Sequence, residues 1–413
     1  MAAAVVQHQH QQQDEEQARE QRERFLAFVG DDESRDAVDH AVGELMIPNA
    51  AVRTGGVRDA IKHLSEQRSP KLLLVDLSAS ELPLNDINNL ADVCEPGVTV
   101  IALGERNDVG LFRDLISHGV ADYLVKPLTP ALVQRAILAS GEQTATARHA
   151  TKLGKLIAVT GARGGVGATT VATNCAWLMA NERKRRVALI DLDLQFGTVA
   201  LALDLEPSHG LREALENPNR IDSLFMDRVM VQHSDKLFVL SAEEAPDEGL
   251  LLDYAALELL ITELRTKFHF VVVDLPRTPS TCSHYVLQTA TELVLVTDLS
   301  LAGMRDTMRL AGLMPGTNAS CHVSVVANRV GEHKQGEMPR AEFEKGIGRK
   351  VEFLLPFDPR TVAAATNFGQ PVAAGKGPVA MGLRDIAERI GGPAAGTAAV
   401  GRSRMWKRLL MKA

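Results

Sequence analysis

The chain has 413 residues, a formal net charge of −7, 45% hydrophobic residues and only 4% aromatic residues. This length is enough for two packed domains with mainly aliphatic cores, and the negative charge excludes a general attraction to nucleic acid. Four cysteines without paired spacing argue against a disulfide framework or a zinc site, and no apolar run approaches the roughly 20 residues of a membrane span.

The first residues lack the basic start and the long apolar core of a secretory signal. We therefore expect a cytoplasmic protein with reduced thiols and no nucleic-acid partner, whose membrane contact, if it has one, is peripheral. Residues 1–22 contain the polar, low-complexity run QHQHQQQDEEQAREQR and are predicted to be disordered, with a short helix as the alternative.

Residues 23–142 alternate short apolar runs with helical patterns. Five runs are predicted as strands: 25–29, 49–53, 71–76, 98–103 and 121–125. Strands that alternate with helices predict a parallel sheet covered by helices on both faces. The small and polar residues 143–154 are predicted to form a linker.

A second alternating series occupies residues 155–390 and predicts a larger doubly wound α/β domain. Its predicted strands are 156–160, 186–191, 236–241, 268–274, 292–297 and 323–328. A helix is predicted over 253–268 between two of them. Residues 391–403 are rich in Gly and Ala and predict a flexible linker, and the chain closes with a basic tail over 404–413.

A glycine-rich loop follows the first strand of this second domain, in the stretch GARGGVGATT. Gly164, Gly165 and Gly167 lack Cβ atoms, so the backbone can turn its N–H groups inward and present a helix N-terminus to phosphate. Thr169 stands where a hydroxyl would hold Mg²⁺, but Ala168 replaces the lysine of the pattern G-x-x-x-x-G-K-[ST]. The alternative is a simple tight connection between a strand and a helix.

Three aspartates follow later strands of the same domain. Asp191 and Asp193 end the run VALIDLD, and Asp274 ends FHFVVVD. Carboxylates at the carboxyl ends of central parallel strands lie in the ligand crevice of such sheets. We expect Asp191 near a bound metal, Asp193 to orient an attacking water, and Asp274 to act as a metal-binding Walker B residue. A helix cap or a turn is the alternative for each one alone.

The order of these motifs resembles the MinD/ParA family of deviant P-loop ATPases. The matching segments are GGVGATT, VALIDLDLQFGT, VVVDLP, VTDLSLAGMRD, VANRV and LPFDPRTVAAATNFGQPV. Together with a receiver-like N-terminal domain, the form of these motifs is similar to the CpaE/TadZ pilus-assembly proteins. The resemblance covers about 23–390, and the order of the motifs is more specific than any one of them.

The resemblance implies ATP and Mg²⁺ as cofactors and a homodimer with nucleotide between its subunits. It implies nucleotide or metal contact for the loop residues Arg163, Gly164, Gly165, Val166, Gly167, Ala168, Thr169 and Thr170. It implies metal contact for Thr169, Asp191 and Asp274, and alignment of water by Asp193. Asn328 and the segment from Pro356 to Asp358 match the region that contacts adenine.

The loop departs from the family pattern K-G-G-x-G-K-T at both lysines, because Arg163 and Ala168 occupy their positions. A lysine charge at the phosphates contributes most to the transition state, where negative charge builds up. We therefore expect hydrolysis to fall much further than binding, which leaves at most a weak ATPase. Arg163 compensates in part if it binds phosphate, and the alternative is a solvent-facing arginine.

Residues 23–142 resemble the receiver domain of response regulators. Asp76 ends the third strand at the position of a phosphoacceptor, with Asp31 and Asp32 as metal-binding acids and Lys126 as the lysine that contacts the phosphoryl group. Gly104 replaces the Thr or Ser that senses phosphorylation. We therefore predict a docking or dimerisation module with impaired switching, and genuine phosphorylation is the alternative.

The tail RMWKRLLMKA has helical spacing, with apolar residues on one side and basic residues over most of the rest. Such a helix suits an anionic lipid surface, in a manner similar to the C-terminal helix of MinD-type proteins. Docking to a partner protein and a frayed tail are the alternatives for 404–413.

Three functions remain as hypotheses. The first is an ATP-binding localisation or assembly factor for a pilus or secretion machine, at the inner face of the inner membrane and at a cell pole. The second is an active MinD/ParA-type ATPase in positioning or partition, which the missing lysine and the negative charge disfavour. The third is a two-component signalling output, which Asp76 and Lys126 favour and Gly104 opposes.

Overall fold

The computed structural model describes residues 23–146, 153–221, 223–246, 253–333 and 336–392. The chain divides into two compact units, unit 1 (Met1–Lys152) and unit 2 (Leu153–Ala413), and the division falls inside the predicted linker 143–154. The predicted N-terminal polar segment 1–22, the basic tail 404–413 and most of the predicted linker 391–403 lie outside the described residues.

Unit 1 contains a five-stranded parallel sheet in the order β2-β1-β3-β4-β5. Its strands are β1 (Phe25–Val29), β2 (Ala50–Thr54), β3 (Leu72–Asp76), β4 (Thr99–Gly104) and β5 (Asp122–Val125). Its helices are α1 (Asp32–Glu44), α2 (Val57–Glu66), α3 (Pro83–Val93), α4 (Val109–Ser117) and α5 (Pro130–Thr146). Each predicted strand of this unit is present within one or two residues of its predicted bounds.

Alternating side chains of β1 explain why helices cover both faces of this sheet. Phe25 and Val29 pack with α1 and α5, whereas Leu26 and Phe28 pack with α2 and α3. A strand that is buried on both faces reads as a continuous apolar run, which is what FLAFV is. Helix α5 continues to Thr146, four residues into the predicted linker, because Gln and Ala favour helix and no proline interrupts them.

Unit 2 contains an eight-stranded sheet in the order β13-β12-β11-β6-β10-β7-β9-β8. Its strands are β6 (Lys155–Gly161), β7 (Val187–Asp191), β8 (Val231–Ser234), β9 (Leu237–Leu240), β10 (Phe270–Leu275), β11 (Glu292–Thr297), β12 (His322–Val330) and β13 (Phe353–Pro356). The strand pairs are parallel except β8–β9, which is antiparallel. The sheet is therefore mixed, whereas the sequence predicted a parallel sheet.

The helices of unit 2 are α6 (Ala168–Asn181), α7 (Val199–Ala202), α8 (Gly210–Glu216), α9 (Ser223–Val229), α10 (Tyr254–Lys267), α11 (Thr281–Thr289), α12 (Leu301–Thr317), α13 (Arg340–Ile347), α14 (Pro359–Asn367) and α15 (Pro378–Gly391). Short 3₁₀ helices lie at Pro218–Arg220 and Val372–Ala374. Helices α6 and α15 pack on one face of the sheet, and α8 to α12 pack on the other.

This architecture confirms the predicted α/β fold and corrects two details. The edge strands β8 and β13 were not predicted from the sequence, because each has only four residues and neither forms a long apolar run. Cys94, Cys175 and Cys282 are buried free thiols as expected, whereas Cys321 is partly exposed. In the parts of the chain that the structure describes, no helix is long and apolar enough to cross a membrane.

Candidate functional site: a phosphate loop beside two buried acids

The glycine-rich loop connects β6 to α6 near the middle of the sheet, between β11 and β10. Gly165 and Gly167 have φ angles of 76° and 92°, which a residue with a Cβ rarely adopts. A Cβ added at Gly164 or Gly165 would meet no atom within 4 Å, so this part of the loop borders open space. The loop therefore has room for a ligand directly against its backbone.

A bulge in β12 holds the loop from the other side. The register with β13 shifts between Ala327 and Val330, and Arg329 has a φ of 60°. At this bulge Asn328 Nδ2 donates to the carbonyl of Val166 at 2.8 Å, and Arg329 donates to that of Gly165 at 3.4 Å. Bulges next to ligand sites re-aim side chains in this way.

Close packing explains one further glycine of the loop. A Cβ at Gly167 would lie 2.4 Å from Nδ2 of Asn328, so a larger residue would break the contact that supports the loop. Val166, although predicted to line the phosphate site, buries its side chain in the core and contributes only its backbone. The loop conformation thus depends on Gly167 and Asn328 together.

Helix α6 begins at Ala168, the position of the missing lysine. The Ala168 methyl packs against the core on the α6 side of the sheet and brings no charge to the loop. The side chain of Thr169 lies near enough to the carboxylate of Asp274 to oppose the rise of its pKa, whereas the carbonyl of Thr170 accepts from Asn174 at 2.8 Å. The first turn of the helix thus joins the loop to the acid at the end of β10.

Asp274 and Asp191 are neighbours in the pairing of β10 with β7, and both are buried. Burial, together with the repulsion between the two carboxylates, raises the pKa of Asp274 to about 7. Burial likewise raises the pKa of Asp191 to about 6, although backbone hydrogen bonds oppose the rise. Burial and mutual repulsion disfavour the charged forms of these two carboxylates. A divalent ion beside them would offset that repulsion and favour the charged forms.

Asp191 shapes the turn that follows β7. Its carboxylate accepts the backbone N–H groups of Asp193 and Val199, each at 3.1 Å. A Cβ at Gly197 would lie 2.4 Å from Asp191 Oδ2, so the turn closes tightly over the acid. This geometry favours a structural function for Asp191, and its predicted contact with the metal shell stays a prediction.

Asp193 is half-buried and accepts the N–H of Phe196 at 3.0 Å. The same turn is tied to the segment after β9, because Glu244 donates its backbone N–H to the carbonyl of Leu194 at 2.8 Å. Arg212 in turn binds the carboxylate of Glu244 at 2.6 Å. Asp193 is thus held on a braced turn beside the buried acids, although its alignment of water remains a prediction.

Arg163 does not stand free in solvent. Its guanidinium donates to Asp298 at 3.3 Å and to Ser300 at 3.1 Å, and its side chain is 40% exposed. Ser300 also caps α12 by accepting the N–H of Gly303 at 2.9 Å. The sequence predicted that the guanidinium of Arg163 binds phosphate. In this structure it instead binds residues at the start of α12.

The segment predicted to contact adenine connects to the loop through Arg329. Pro356 ends β13 and Asp358 caps α14 by accepting the N–H of Thr361 at 3.1 Å. Between them, the ring of Phe357 lies 5.7 Å from the guanidinium carbon of Arg329, which also reaches the loop. Asn328 and this segment therefore border one continuous path from the phosphate loop to the end of β13.

Among the described residues, no group of three or more His, Cys, Asp or Glu side chains is placed to hold a metal ion by itself. Mg²⁺ often binds through one or two protein oxygens, with substrate phosphates and waters completing its shell. Thr169 and Asp274 fit that mode, because they lie together at the N-terminus of α6. The residues present therefore fit Mg²⁺ only in company with a phosphorylated ligand.

The predicted acidic site of unit 1 is also assembled. Asp76 is 3% exposed and accepts N–H groups from Gly30 at 2.9 Å and from Ser78 at 2.8 Å. Lys126 donates to Asp76 at 2.6 Å and to Asp31 at 2.5 Å.

These contacts shift the pKa values of Asp31 and Lys126 in opposite directions. Burial alone would raise the pKa of Asp31, but the bonds from Lys126 and Ser34 outweigh it and lower that pKa. Burial alone would lower the pKa of Lys126, and its two carboxylate partners raise it. Asp32 opens α1, and its side chain makes no hydrogen bond or ion pair among the described residues.

At Gly104, the position that the receiver resemblance assigns to a phosphorylation sensor, another side chain takes the space. A Cβ at Gly104 would lie 2.6 Å from the hydroxyl of Tyr123, which donates to the carbonyl of Arg106 at 3.0 Å. A Thr or Ser at this position would displace Tyr123, which is otherwise buried.

Several contacts of both sites were missed from the sequence. They are Arg329 at the loop, Asp298 and Ser300 as partners of Arg163, and Tyr123 in unit 1. Asn328 and Arg329 stand side by side in VANRV, but the bulge that turns both toward the loop leaves no pattern in the sequence. The segment VTDLSLAGMRD was noted as a family motif without a function for its polar residues.

The residues that match a known family model lie in unit 2. Residues 154–314 match the family model described as an AAA domain. The septum site-determining protein MinD of Bacillus subtilis is 26% identical over 244 residues, which is 58% of this chain and 89% of that protein.

Two solved structures share the fold of this unit. A ParA family ATPase from Chlorobium tepidum has a TM-score of 0.52 at 22% identity and covers 56% of this chain and 98% of its own. MinD from Pyrococcus horikoshii, solved with Mg-ADP, has a TM-score of 0.50 at 20% identity and covers 58% of this chain and 96% of its own.

The fold and the loop define the class of unit 2, which is a P-loop NTPase domain of α/β architecture. The matches are more particular, because homologues of this unit are found in the MinD/ParA family of ATPases. This confirms the coarser part of the resemblance seen in the motifs.

Proposed function

We propose that unit 2 binds ATP with Mg²⁺ and uses the nucleotide mainly as a conformational clamp, with weak or absent hydrolysis. One observation carries this proposal. The glycine-rich loop is open to a ligand, but the first turn of α6 has no positively charged side chain. Gly164 and Gly165 border open space, Thr169 lies beside Asp274, and Ala168 is packed on the core.

The ground state of such a complex depends on groups that the chain retains. Backbone N–H groups of the loop and the N-terminus of α6 attract phosphate oxygens. Thr169 and Asp274 would hold Mg²⁺, which supplies positive charge between the phosphates and the buried acids. Because the pKa of Asp274 is raised to about 7, binding of the ion also favours its deprotonated form.

The transition state of hydrolysis depends on groups that the chain lacks. Ala168 provides no ammonium to the β- and γ-phosphates, and Arg163 is engaged by Asp298 and Ser300. Preorganised positive charge where negative charge develops is usually the largest contribution to such catalysis. Asp193 could still orient water, but few groups would stabilise the negative charge that develops on the phosphates in the transition state.

At the level of the cell, we infer a cytoplasmic localisation or assembly factor for a Flp or tight-adherence type pilus machine. The motif order and the receiver-like unit 1 support this function through their resemblance to CpaE/TadZ proteins. A nucleotide-dependent homodimer would present two basic tails, 404–413, and so raise the avidity for an anionic inner membrane surface. Unit 1 would recruit the protein partners, and nucleic acid is not expected among them.

Calorimetry with the full chain tests nucleotide binding. We expect ATP with Mg²⁺ to bind at millimolar concentration or below, with turnover well below that of a stimulated ATPase. Thr169→Val should remove the dependence on Mg²⁺, whereas Thr366→Val, on the exposed side of α14, should not. Failure of the wild type to bind ATP with Mg²⁺ at millimolar concentration would sink the proposal.

A further inference from the structure

Arg277 is an exposed cation in the loop between β10 and α11, three residues after Asp274. Its guanidinium lies 3.6 Å from the carboxylate of Asp306 on α12, and its side chain is 56% exposed. Arg305 binds the same carboxylate at 2.9 Å. Asp306 therefore keeps a close partner when Arg277 moves away, so the charge of Asp306 does not depend on Arg277.

The backbone of this loop is held at both ends. Thr160 Oγ1 donates to the carbonyl of Leu275 at 2.9 Å, which ties the end of β10 to the strand that leads into the phosphate loop. Ser280 caps α11 by accepting the N–H of Ser283 at 3.0 Å. Prolines stand directly before Arg277 and two residues after it, and each restricts its own φ angle and the residue before it. The main chain at Arg277 is thus restricted, whereas its exposed side chain can adopt other rotamers.

The position of Arg277 is within reach of a terminal phosphate at the candidate site. A Mg²⁺ held by Thr169 and Asp274 would also bind the β- and γ-phosphates of ATP. Three residues span at most about 11 Å, so the backbone at Arg277 lies within that distance of the backbone at Asp274. An extended arginine side chain can bridge much of this distance and reach phosphate oxygens beside the metal.

The chemistry of the Arg277 guanidinium suits such a ligand. It is permanently charged, and its planar donors match two oxygens of one phosphate. Its ion pair at 3.6 Å is longer than those of Arg163 at 3.3 Å and Arg329 at 3.2 Å, the two other arginines beside the loop. Because a longer ion pair is a weaker one, Arg277 loses the least of these three when it moves to a phosphate.

We propose that Arg277 binds the γ-phosphate of ATP and makes unit 2 distinguish ATP from ADP, which rests on the nucleotide binding proposed above. ADP lacks this phosphate, so only ATP draws the guanidinium away from Asp306. The contact is made in the ground state as well as in the transition state, so it raises the affinity more than the rate of hydrolysis. A clamp that closes on ATP needs such a residue, because the glycine-rich loop offers its N–H groups to the phosphates of ADP as well.

Calorimetry of the full chain with Mg²⁺ and either nucleotide tests the contact. We expect wild type to bind ATP more tightly than ADP. Arg277→Gln should weaken ATP binding by about tenfold with little change for ADP, because only ATP loses a charged hydrogen bond. Arg277→Lys should keep part of the preference, since it retains the charge but not the paired donors. Equal losses for both nucleotides, or no loss for ATP, would overturn the proposal.

Two variants at the α12 contact separate phosphate binding from a structural effect. Asp306→Asn removes the ion pair of Arg277 but leaves its guanidinium, so it should not weaken ATP binding. Arg305→Gln changes the other arginine beside Asp306 and is the matched control, which should keep the preference for ATP. If either variant reproduced the loss seen in Arg277→Gln, Arg277 would act through α12 and the proposal would be wrong.

Chemical modification provides a readout other than affinity. Phenylglyoxal reacts with accessible guanidinium groups, and mass spectrometry of the peptides identifies the modified residue. Saturating ATP with Mg²⁺ should protect Arg277 and saturating ADP should not, whereas Arg309, exposed on α12, should react equally in both. Equal protection by the two nucleotides, or no reaction of Arg277 in their absence, would contradict the proposal.

Binding of ADP separates this proposal from the function proposed for unit 2. Wild type that binds both nucleotides, without a preference that depends on Arg277, would refute the assignment of Arg277 alone. Wild type that binds neither nucleotide would refute nucleotide binding by unit 2, and the assignment of Arg277 with it.

Discussion

Both units place carboxylates at the carboxyl ends of parallel strands, but they balance the charge of these carboxylates in opposite ways. In unit 1 the lysine is present, and Lys126 binds both Asp76 and Asp31. In unit 2 the lysine position is Ala168, and the pKa values of Asp274 and Asp191 are raised to about 7 and about 6. The acids of unit 1 are neutralised by the chain itself, whereas those of unit 2 favour a cation from outside.

This difference indicates which site depends on a ligand. Lys126 binds both of its acids, and Tyr123 packs against Gly104, so unit 1 pairs the charge of its acids within the chain. Unit 2 retains an open loop and a pair of buried acids that repel each other. Adding a lysine to unit 2 should therefore raise its rate of ATP hydrolysis. Removing the lysine from unit 1 should lower the stability of that unit.

The largest effect is expected from adding the lysine to unit 2. Ala168→Lys should raise the rate of ATP hydrolysis by about 100-fold, because an ammonium at the β- and γ-phosphates stabilises the transition state. Steady-state phosphate release measures it, and Ala168→Met, which has similar length and no charge, is the matched control. Equal rates for the two variants would show that the missing charge is not what limits turnover.

The converse change removes the lysine from unit 1. Lys126→Met should destabilise unit 1 by about 3 kcal/mol, because Asp76 is left as a buried carboxylate without its partner. Denaturant unfolding followed by a probe in unit 1 measures the loss. Adding Asp76→Asn should restore part of it, and Lys62→Met, on an exposed position of α2, should have little effect.

The buried acids of unit 2 predict a pH dependence. A raised carboxylate pKa means that the folded state binds more protons than the unfolded state between about pH 4 and pH 7, so stability falls as pH rises through this window. Lowering the pH from 8 to 5.5 should therefore stabilise ligand-free unit 2 by about 2 kcal/mol more in wild type than in Asp274→Asn. Parallel pH profiles of unfolding for the two proteins would contradict the assignment.

The smallest effect is expected for phosphorylation of unit 1. Acetyl phosphate should label the wild type no more than Asp76→Ala, because Lys126 occupies the acids and Gly104 provides no sensor. Mass spectrometry of the intact protein measures incorporation. Labelling of wild type that Asp76→Ala abolishes would instead favour the two-component alternative.

The sequence predicted those parts of the fold that depend on local patterns. The strands β1 and β6, the loop after β6 and the acid at the end of β10 all follow from continuous apolar runs with polar residues after them. The relative placement of Thr169 and Asp274 also followed, because carboxyl ends of neighbouring parallel strands share one edge.

The contacts that the sequence did not predict depend on distant packing. Arg163 turns to Asp298, which is 135 residues away, and no local pattern records that choice. The small strand β8 pairs antiparallel at the edge because the two-residue turn that follows it leads directly into β9, and its four residues give too little periodicity to be recognised.

The irregularity in β12 joins the two ends of the nucleotide path. One pair of adjacent residues supports the phosphate loop through Asn328 and stacks on Phe357 through Arg329. A displacement of the loop would therefore be felt at the aromatic ring of the segment predicted to contact the base. The two neighbouring residues of the β12 irregularity connect these two predicted contact regions directly.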